Sequence, residues 1–313
     1  MEINNYAPVV VFVYNRPEHT KKMLARLNEL DEVQHTTLYI FADAPKDDFA
    51  KLKVNEVETV IRNFIRISKF NKVYFRKNEK NFGLAQSIIK GVSHVIEMHG
   101  KAIVLEDDLI VSKDFLRYMN TGLEKFKNDK TIWSISGYTF PLESLKKSLG
   151  DVYMSDRGCS WGWATWDDRW KTVDWDVKDY SKFKFNIVLR HHFAKWGYDL
   201  PCLLDAYKYG EIQSWAIRWC YSAFKQGKRT IYPKNSRVVN IGTDGSGTNF
   251  SKKEDRYNTY LYNGNDECQF KLVEESENIR REFASRYITG GELIKLHIRW
   301  FLIRLGILRI KSK

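Results

Sequence analysis

The sequence predicts an α/β protein with a mostly parallel sheet flanked by helices, and three observations lead to that class. Short apolar runs alternate with longer stretches of helical periodicity through the first half of the 313 residues. The first apolar run, residues 8–14 (PVVVFVY), is continuous, as expected for a strand covered on both faces. Hydrophobic residues make up 43% of the chain and charged residues 29%, which is typical of globular proteins and excludes a disordered one.

The predicted elements of this half follow one another in strand–helix order. Strands are predicted at residues 8–14, 36–42, 72–76, 101–105 and 131–136. Helices are predicted at residues 17–30, 48–67, 83–98 and 112–126. Pro17 suits a first helical turn, and Ser112 is the predicted N-cap of the last of these helices. Because such sheets bind ligands beyond the carboxyl ends of their strands, the candidate ligand-binding segments are 14–16, 42–44 and 106–108.

The second half has a different character. Five of the ten tryptophans lie within residues 156–175, and residues 240–249 form a Gly-rich loop. Helices are predicted at 181–196, 198–209 and 212–227, a short strand at 231–232, and irregular structure at 251–275. We therefore predict a domain over residues 1–250, with halves at about 1–130 and 131–250. A helical C-terminal extension is predicted over residues 251–313.

Charge and cysteine content narrow the class of protein further. The net charge of +12 favours an anionic partner, which leaves nucleic acid, an anionic lipid surface or a phosphorylated substrate. The four cysteines are scattered without a C-x-x-C pair, which argues against a disulfide framework or a thiolate zinc site. The sequence shows neither a secretory signal nor a membrane-spanning apolar run, so we expect a cytoplasmic protein.

Three successive acids, Glu106, Asp107 and Asp108, directly follow the predicted strand at 101–105. Carboxylates this close repel one another and raise one another's pKa, and a divalent cation relieves that cost. Oxygen ligands in a site open to water suit Mg²⁺ or Mn²⁺ bound together with substrate phosphates. The alternative is a solvated acidic loop that joins a strand to a helix. The position at the carboxyl end of a buried strand favours the metal and diphosphate.

Segments in a consistent order resemble GT-A-fold glycosyltransferases, close to N-acetylglucosaminyltransferase I and to bacterial family 2-like polysaccharide glycosyltransferases. VLEDDLIVSKDFLRYM resembles the acidic motif and the helix after it, and FVYNRPEHTKKML resembles the first nucleotide-binding strand and helix. NFGLAQSIIKGV is similar to the segment before the acidic strand. SWGWATWDDRW and NIGTDGSGTN resemble acceptor-side and active-site segments. The resemblance extends over residues 8–250.

The resemblance implies a role for individual residues. Asp108 would be the direct ligand of Mn²⁺ or Mg²⁺, while Glu106 and Asp107 would hold hydroxyls of the donor sugar and the ribose. Arg16 or Lys80 would add positive charge near the diphosphate, although Arg16 is alternatively a surface cation. Asp43 would bind the edge of the base. The residues assigned to the nucleotide sugar are Tyr14, Asn15, Arg16, Asp43, Lys80, Gly83, Glu106 and Asp107.

The general base is the weakest part of the resemblance. An inverting transfer needs a carboxylate within hydrogen-bond reach of the acceptor hydroxyl. The family has an Asp just before a Trp, but here Gln213 and Ser214 precede Trp215. Glu211 is the nearest acid and the first candidate, and Asp244 in the Gly-rich loop is the second.

Trp161 and Trp163 are the predicted stacking surface for a sugar acceptor. The alternative role of the tryptophan cluster is to fill the core, which we expect for most of its members.

Residues 292–313 predict a basic amphipathic helix with two apolar stripes and six Lys or Arg residues. One stripe would pack on the domain while the other meets an anionic membrane surface. The alternative is that the second stripe forms an oligomer contact.

The sequence as a whole predicts metal-dependent transfer of a sugar from a nucleotide diphosphate, a UDP-sugar, to a glycan or lipid-linked acceptor in bacterial surface polysaccharide synthesis. Three alternatives stay open. A nucleotidyltransferase lacks support because residues 15–17 are not a Gly- and Lys-rich signature. A nucleic-acid-binding protein is disfavoured because much of the basic excess lies in the apolar tail. An inactive sugar- or nucleotide-binding module is consistent with the missing acid before Trp215.

Overall fold

The computed structural model describes residues 5–242, 255–264, 266–288 and 290–310. Strands in these residues are β1 (Val9–Val13), β2 (Thr37–Ala42), β3 (Lys72–Lys77), β4 (Lys101–Glu106), β5 (Leu109–Val111), β6 (Ile132–Ser136), β7 (Val152–Ser155), β8 (Trp163–Trp166), β9 (Arg229–Pro233) and β10 (Val238–Asn240). The helices are α1 (Pro17–Leu27), α2 (Asp48–Ile67), α3 (Gly83–His99), α4 (Phe115–Phe126), α5 (Asp167–Trp170), α6 (Tyr180–Lys184), α7 (Ile187–Phe193), α8 (Leu200–Lys208), α9 (Trp215–Lys225), α10 (Glu277–Ser285) and α11 (Gly290–Arg304).

Eight strands form one sheet in the order β3-β2-β1-β4-β8-β6-β9-β7, and β5 pairs with β10 in a second, two-stranded sheet. The pairs β3–β2, β2–β1, β1–β4 and β6–β9 are parallel. The pairs β4–β8, β8–β6 and β9–β7 are antiparallel. The predicted class, an α/β fold with a mostly parallel sheet, is confirmed. Because β8 is antiparallel to both β4 and β6, the carboxyl ends of β1, β2, β4 and β6 lie along one edge of the sheet.

The sheet is covered on both faces, and alternate residues of β1 show it. Val9, Val11 and Val13 belong to one hydrophobic cluster, whereas Val10 and Phe12 belong to another. Successive side chains of a strand point to opposite faces, so an unbroken apolar run requires two covered faces. The second cluster also contains most of a tryptophan group, namely Trp133, Trp163, Trp170, Trp215 and Trp219.

The structure departs from the predicted elements in several places, and the helix predicted at 181–196 is divided into α6 and α7. Strands β5, β7, β8 and β10 were not predicted, since each has only three or four residues. Helix α4 begins at Phe115 rather than at residue 112, and Ser112 is not its N-cap. Asp114 occupies the N-cap position, and the Ser112 hydroxyl donates to the Asp114 carboxylate.

Residues after 265 pack on the main domain rather than forming a separate body. Phe270 is buried against Tyr118 and Phe126, and Phe283 against Phe140. Trp300 and Ile303 of α11 join Cys202 and Ala206 of α8 in a small hydrophobic cluster. In the described parts of the chain, no helix combines the length and apolarity that crossing a bilayer requires.

Candidate active site at the carboxyl edge of the sheet

The three acids lie where segments from distant parts of the chain meet. Glu106 is in register with Phe12 of β1, which brings the end of β4 beside the residues that follow β1. The Tyr14 backbone N–H donates to Asp107 Oδ2 at 3.3 Å. On the other side, the backbone N–H of Ile241, just after β10, donates to the Asp108 carbonyl oxygen at 2.8 Å. The pairing of β10 with β5 thus fixes the chain around residue 241 against the acids.

The pKa of each of the three acids is raised, with burial as the largest cause. Burial, followed by the charges of Asp108 and Asp107, raises the pKa of Glu106 well above its usual value. Burial and the Asp108 carboxylate raise the pKa of Asp107 to about 7. Burial also raises the pKa of Asp108, although the nearby Arg16 guanidinium acts in the opposite direction. The ionised carboxylates are thus disfavoured despite Arg16, and a bound cation would stabilise them.

One cation already contacts the cluster. Arg16 Nη1 donates to Asp108 Oδ2 at 2.8 Å, and both side chains are largely shielded from solvent. Gly242 lies directly against this pair, since a Cβ at that position would overlap the Asp108 carboxylate and crowd the Arg16 guanidinium. Arg16 is therefore part of the acid site and is not an isolated surface cation.

The donor set suits a hard divalent cation, although it does not enclose one. Among the residues that the structure describes, no three acids, histidines or cysteines are grouped so that they alone could hold a metal. Mg²⁺ and Mn²⁺ commonly take one or two carboxylates and complete their coordination with water and substrate phosphates. Asp108 fits that role if it exchanges its bond to Arg16 for one to the cation. Glu106 supplies a second carboxylate for which the described residues provide no hydrogen-bond donor.

The predicted nucleotide-binding residues that follow β1 lie beside the acids. Tyr14, Asn15 and Arg16 are all half-buried, and the Tyr14 hydroxyl accepts a bond from the Lys46 backbone N–H at 3.0 Å. Lys80 is exposed, with its ammonium 5.6 Å from the centre of the Phe82 ring. No described contact joins Lys80 to the three acids.

Asp43 differs from its predicted role in binding the base. Its buried carboxylate accepts bonds from Asn78 Nδ2 at 3.0 Å, from the Phe82 N–H at 3.0 Å and from the Gly83 N–H at 2.8 Å. Both carboxylate oxygens are therefore bound to the segment that leads into α3. Gly83, at φ 73°, likewise uses its N–H for Asp43, so that amide is not available to a nucleotide. Asp43 fixes the loop beside the site.

Replacing Asp43 by alanine is expected to lower the free energy of unfolding by about 2–3 kcal/mol, because buried N–H groups lose a charged acceptor. Urea denaturation without nucleotide measures the loss. Asp47→Ala is a comparison, since it removes an exposed N-cap at α2 and should cost about 1 kcal/mol. An Asp43→Ala protein of unchanged stability that no longer binds nucleotide would instead support the predicted contact with the base.

The two predicted acceptor tryptophans have different environments. Trp163 is only 1% exposed and stacks on Trp215 and Trp170, with ring centres 5.1 and 5.7 Å apart. Trp163 is buried because β8 lies in the middle of the sheet, between β4 and β6, so the prediction that Trp163 contacts an acceptor is wrong. Trp161 is half-buried, edge-on to Tyr138 at 4.7 Å and to Tyr257 at 5.4 Å. Of the two, Trp161 alone presents surface to a ligand.

The predicted general bases are not brought to the acids within the described residues. Glu211, in the loop between α8 and α9, is bound to Arg299 of α11 at 2.5 Å. No described contact joins Glu211 to Asp108. Asp244 lies outside the described residues. The N-terminus of α9 is nearer the site, since Trp215 stacks on Trp163, which is in register with Val104 of β4.

Sequence reasoning missed His19, whose Nε2 lies 3.3 Å from the Ile241 carbonyl oxygen and whose imidazole lowers the pKa of Asp108. This contact joins residues 222 positions apart, so no local sequence signal could have revealed it. Gly242 belongs to the Gly-rich loop that the sequence singled out, and the structure adds its contact with Asp108.

A mixed sheet of this order, with acids at the end of β4 beside the segment that follows β1, defines the class of GT-A-fold glycosyltransferases, which transfer sugars from nucleotide sugars. The chain matches the GNT-I family over residues 2–178. It belongs to that family, and the predicted assignment as a glycosyltransferase is confirmed.

Solved structures give weaker likenesses. A mannosyltransferase from Pyrobaculum calidifontis, in complex with GDP-Man and Mn²⁺, is 12% identical with a TM-score of 0.38, over 53% of this chain and 46% of that one. This chain thus spans less than half of that protein. S. aureus TarS 1–349 is 10% identical with a TM-score of 0.47, over 97% of this chain and 75% of that one. No curated protein matched the chain.

Proposed function

We propose that this glycosyltransferase moves a sugar from a UDP-sugar to a glycan or lipid-linked acceptor with the help of Mn²⁺ or Mg²⁺, in bacterial surface polysaccharide synthesis. The observation that carries the proposal is the group of three adjacent acids at the carboxyl end of β4, of which Asp107 is buried and Glu106 and Asp108 are half-buried. Carboxylates crowded together in this way favour a cation, and a cation favours the diphosphate of a nucleotide sugar.

The residues around the acids suit the parts that such a transfer requires. When bound, the cation supplies the positive charge that stabilises a departing diphosphate. Arg16, released from Asp108, has planar donors that match phosphate oxygens. The Tyr14 N–H holds one oxygen of Asp107 and thereby orients that carboxylate toward hydroxyls of the donor. Asn15 would contact the nucleotide, and Trp161 would contact the acceptor.

For the general base we propose Asp244 in preference to Glu211. Gly242, two residues before Asp244 in the sequence, contacts Asp108, whereas Glu211 is bound to Arg299. Transfer with inversion needs such an acid near the acceptor. The same observation on Glu211 favours a second candidate function, an inactive module that binds nucleotide sugars without transferring them.

Calorimetry of the full chain with UDP, GDP, ADP and CMP, with and without Mn²⁺ or Mg²⁺, tests the proposal. We expect UDP to bind, and to bind at least about tenfold more tightly with the metal. Equal UDP affinity with and without metal would refute the metal-dependent site, and preference for another nucleotide would refute the UDP donor. Release of free UDP from UDP-sugars, followed with and without glycan acceptors, separates the transferase from the inactive module.

We also propose that the protein lies on the inner face of the cytoplasmic membrane. A lipid-linked acceptor would meet the site there. Exposed apolar side chains on α11 and the basic residues of 292–313 support this position.

A further inference from the structure

Helix α11 buries one of its two apolar stripes and exposes the other. Trp300 and Ile303 are buried against α8. Trp300 is therefore not a membrane anchor, despite its residue type. The second stripe remains open, with Ile298 54% and Phe301 50% exposed. The large exposed apolar residues of α11 and the turn after it are Ile294, Ile298, Phe301, Leu305, Ile307 and Leu308.

A second exposed apolar patch lies on the short helices α6 and α7. Phe185 between them is exposed, and Ile187 and Val188 at the start of α7 are 82% and 65% exposed. Soluble monomers rarely expose contiguous apolar side chains of this size without an interaction to explain them.

Both patches are fixed to the same buried carboxylate. Asp205 of α8 accepts from Arg190 of α7 at 2.7 Å and from Arg304 of α11 at 2.6 Å. A second set of contacts joins them, because the Lys184 ammonium lies near both the Phe185 and the Tyr209 rings, at 5.0 and 5.6 Å. The Tyr209 ring in turn packs on Trp300 of α11, with centres 5.9 Å apart. Helices α7 and α11, which carry the two patches, are therefore held together around α8.

Positive charge predominates around the two patches, although α11 also carries the exposed acid Glu292 in its first turn. Residues 180–198 contain lysine, arginine and histidine but no acid, and residues 293–313 contain six Lys or Arg and no acid. Arg190, Arg304 and Arg299 are bound internally by Asp205 and Glu211. Within the described parts of these two ranges, the exposed cations are Lys182, Lys295 and Arg309. His191 and His192 of α7 are also exposed.

We infer that the exposed apolar residues of α6–α7 and of α11 form one docking face for an anionic bilayer. The inference rests on the proposed peripheral position and identifies the surface that makes the contact. Apolar side chains would enter the headgroup boundary while the surrounding lysines and arginine meet anionic headgroups. A second copy of the chain suits this face poorly, because a symmetric contact brings the same patch, and so the same positive charge, against itself.

Co-sedimentation of the full chain with vesicles tests the docking face. Vesicles of phosphatidylglycerol and phosphatidylcholine are compared with phosphatidylcholine alone at two salt concentrations. Wild-type protein is expected to bind the anionic vesicles and to dissociate as salt rises. The double variants Ile298→Glu/Phe301→Glu and Ile187→Glu/Val188→Glu should each weaken partitioning about tenfold or more. Phe49→Glu is the matched control, since Phe49 is 96% exposed on α2 and its replacement should leave partitioning to the vesicles unchanged.

Two results would overturn the docking face. One is equal partitioning of the wild type and both double variants. The other is a concentration-dependent dimer, seen by light scattering, that the same variants dissociate, because a second copy would then cover the face. UDP and Mn²⁺ binding of every variant is measured in parallel. If vesicles bind as expected but UDP does not bind, the transferase proposal fails while the docking face stands.

Discussion

Asp108→Asn is expected to lower sugar transfer at least about 100-fold, because the variant loses the charge that we propose holds the metal at the diphosphate. The amide keeps the size of the side chain and can still accept a bond from Arg16, which now donates to Asp108 at 2.8 Å. The free energy of unfolding should change by no more than about 1 kcal/mol, since removing one of three repelling acids offsets the weaker bond to Arg16. We thus expect a large loss of activity with little change in stability.

Release of UDP and urea denaturation, measured on the same preparations, check this expectation. Glu97→Gln is the control because Glu97 is an exposed acid near the end of α3. Metal-dependent UDP binding should disappear in Asp108→Asn and persist in Glu97→Gln. Wild-type activity in Asp108→Asn would remove Asp108 from the proposed mechanism.

The largest expected loss of stability comes from Asp205→Asn, at about 3–5 kcal/mol, since it leaves two buried arginines without a charged partner. Asp205 is fully buried, and its oxygens accept from Tyr180, Arg190 and Arg304. These bonds connect α6, α7 and α11 to α8. We therefore expect α6, α7 and α11 to loosen from α8 as the network breaks.

Chemical denaturation followed by circular dichroism measures this loss. Glu143→Gln removes an exposed ion pair with Lys146 and should change the free energy of unfolding by less than about 1 kcal/mol. If Asp205→Asn were equally mild, the buried network would contribute little and the tie between α7 and α11 would rest on apolar packing alone.

The sequence predicts the first half of the fold well because its elements are long or uniformly apolar. Helix α2 has the predicted bounds, since Asp47 caps its start and Val54, Val57, Ile61 and Phe64 give it one buried face. The second half is less predictable because its strands are short. Trp163 is an example. The sequence predicts that it contacts an acceptor, because the sequence does not reveal that it lies in strand β8.

The candidate site shows the same division. Glu106 ends β4 and the other two acids follow it directly, so strand alternation and position were enough to identify them. Asp43 also follows a predicted strand, but its bonds to Asn78, Phe82 and Gly83 depend on how the loop before α3 folds back. The contact of Gly242 with Asp108 depends on the pairing of β10 with β5, which only the folded chain shows. Local pattern thus locates the acids, while tertiary structure determines what surrounds them.

The tryptophan group has an optical consequence. The Trp219 ring centre lies 4.3 Å from that of Trp133, 5.2 Å from that of Trp170 and 5.4 Å from that of Trp163. The Trp163 ring centre lies 5.1 Å from that of Trp215 and 5.7 Å from that of Trp170. Indoles this close share excitation energy, so their fluorescence and near-ultraviolet dichroism behave as one chromophore. Because Trp215 and Trp219 belong to α9, that signal reports how α9 packs on the sheet without any added label.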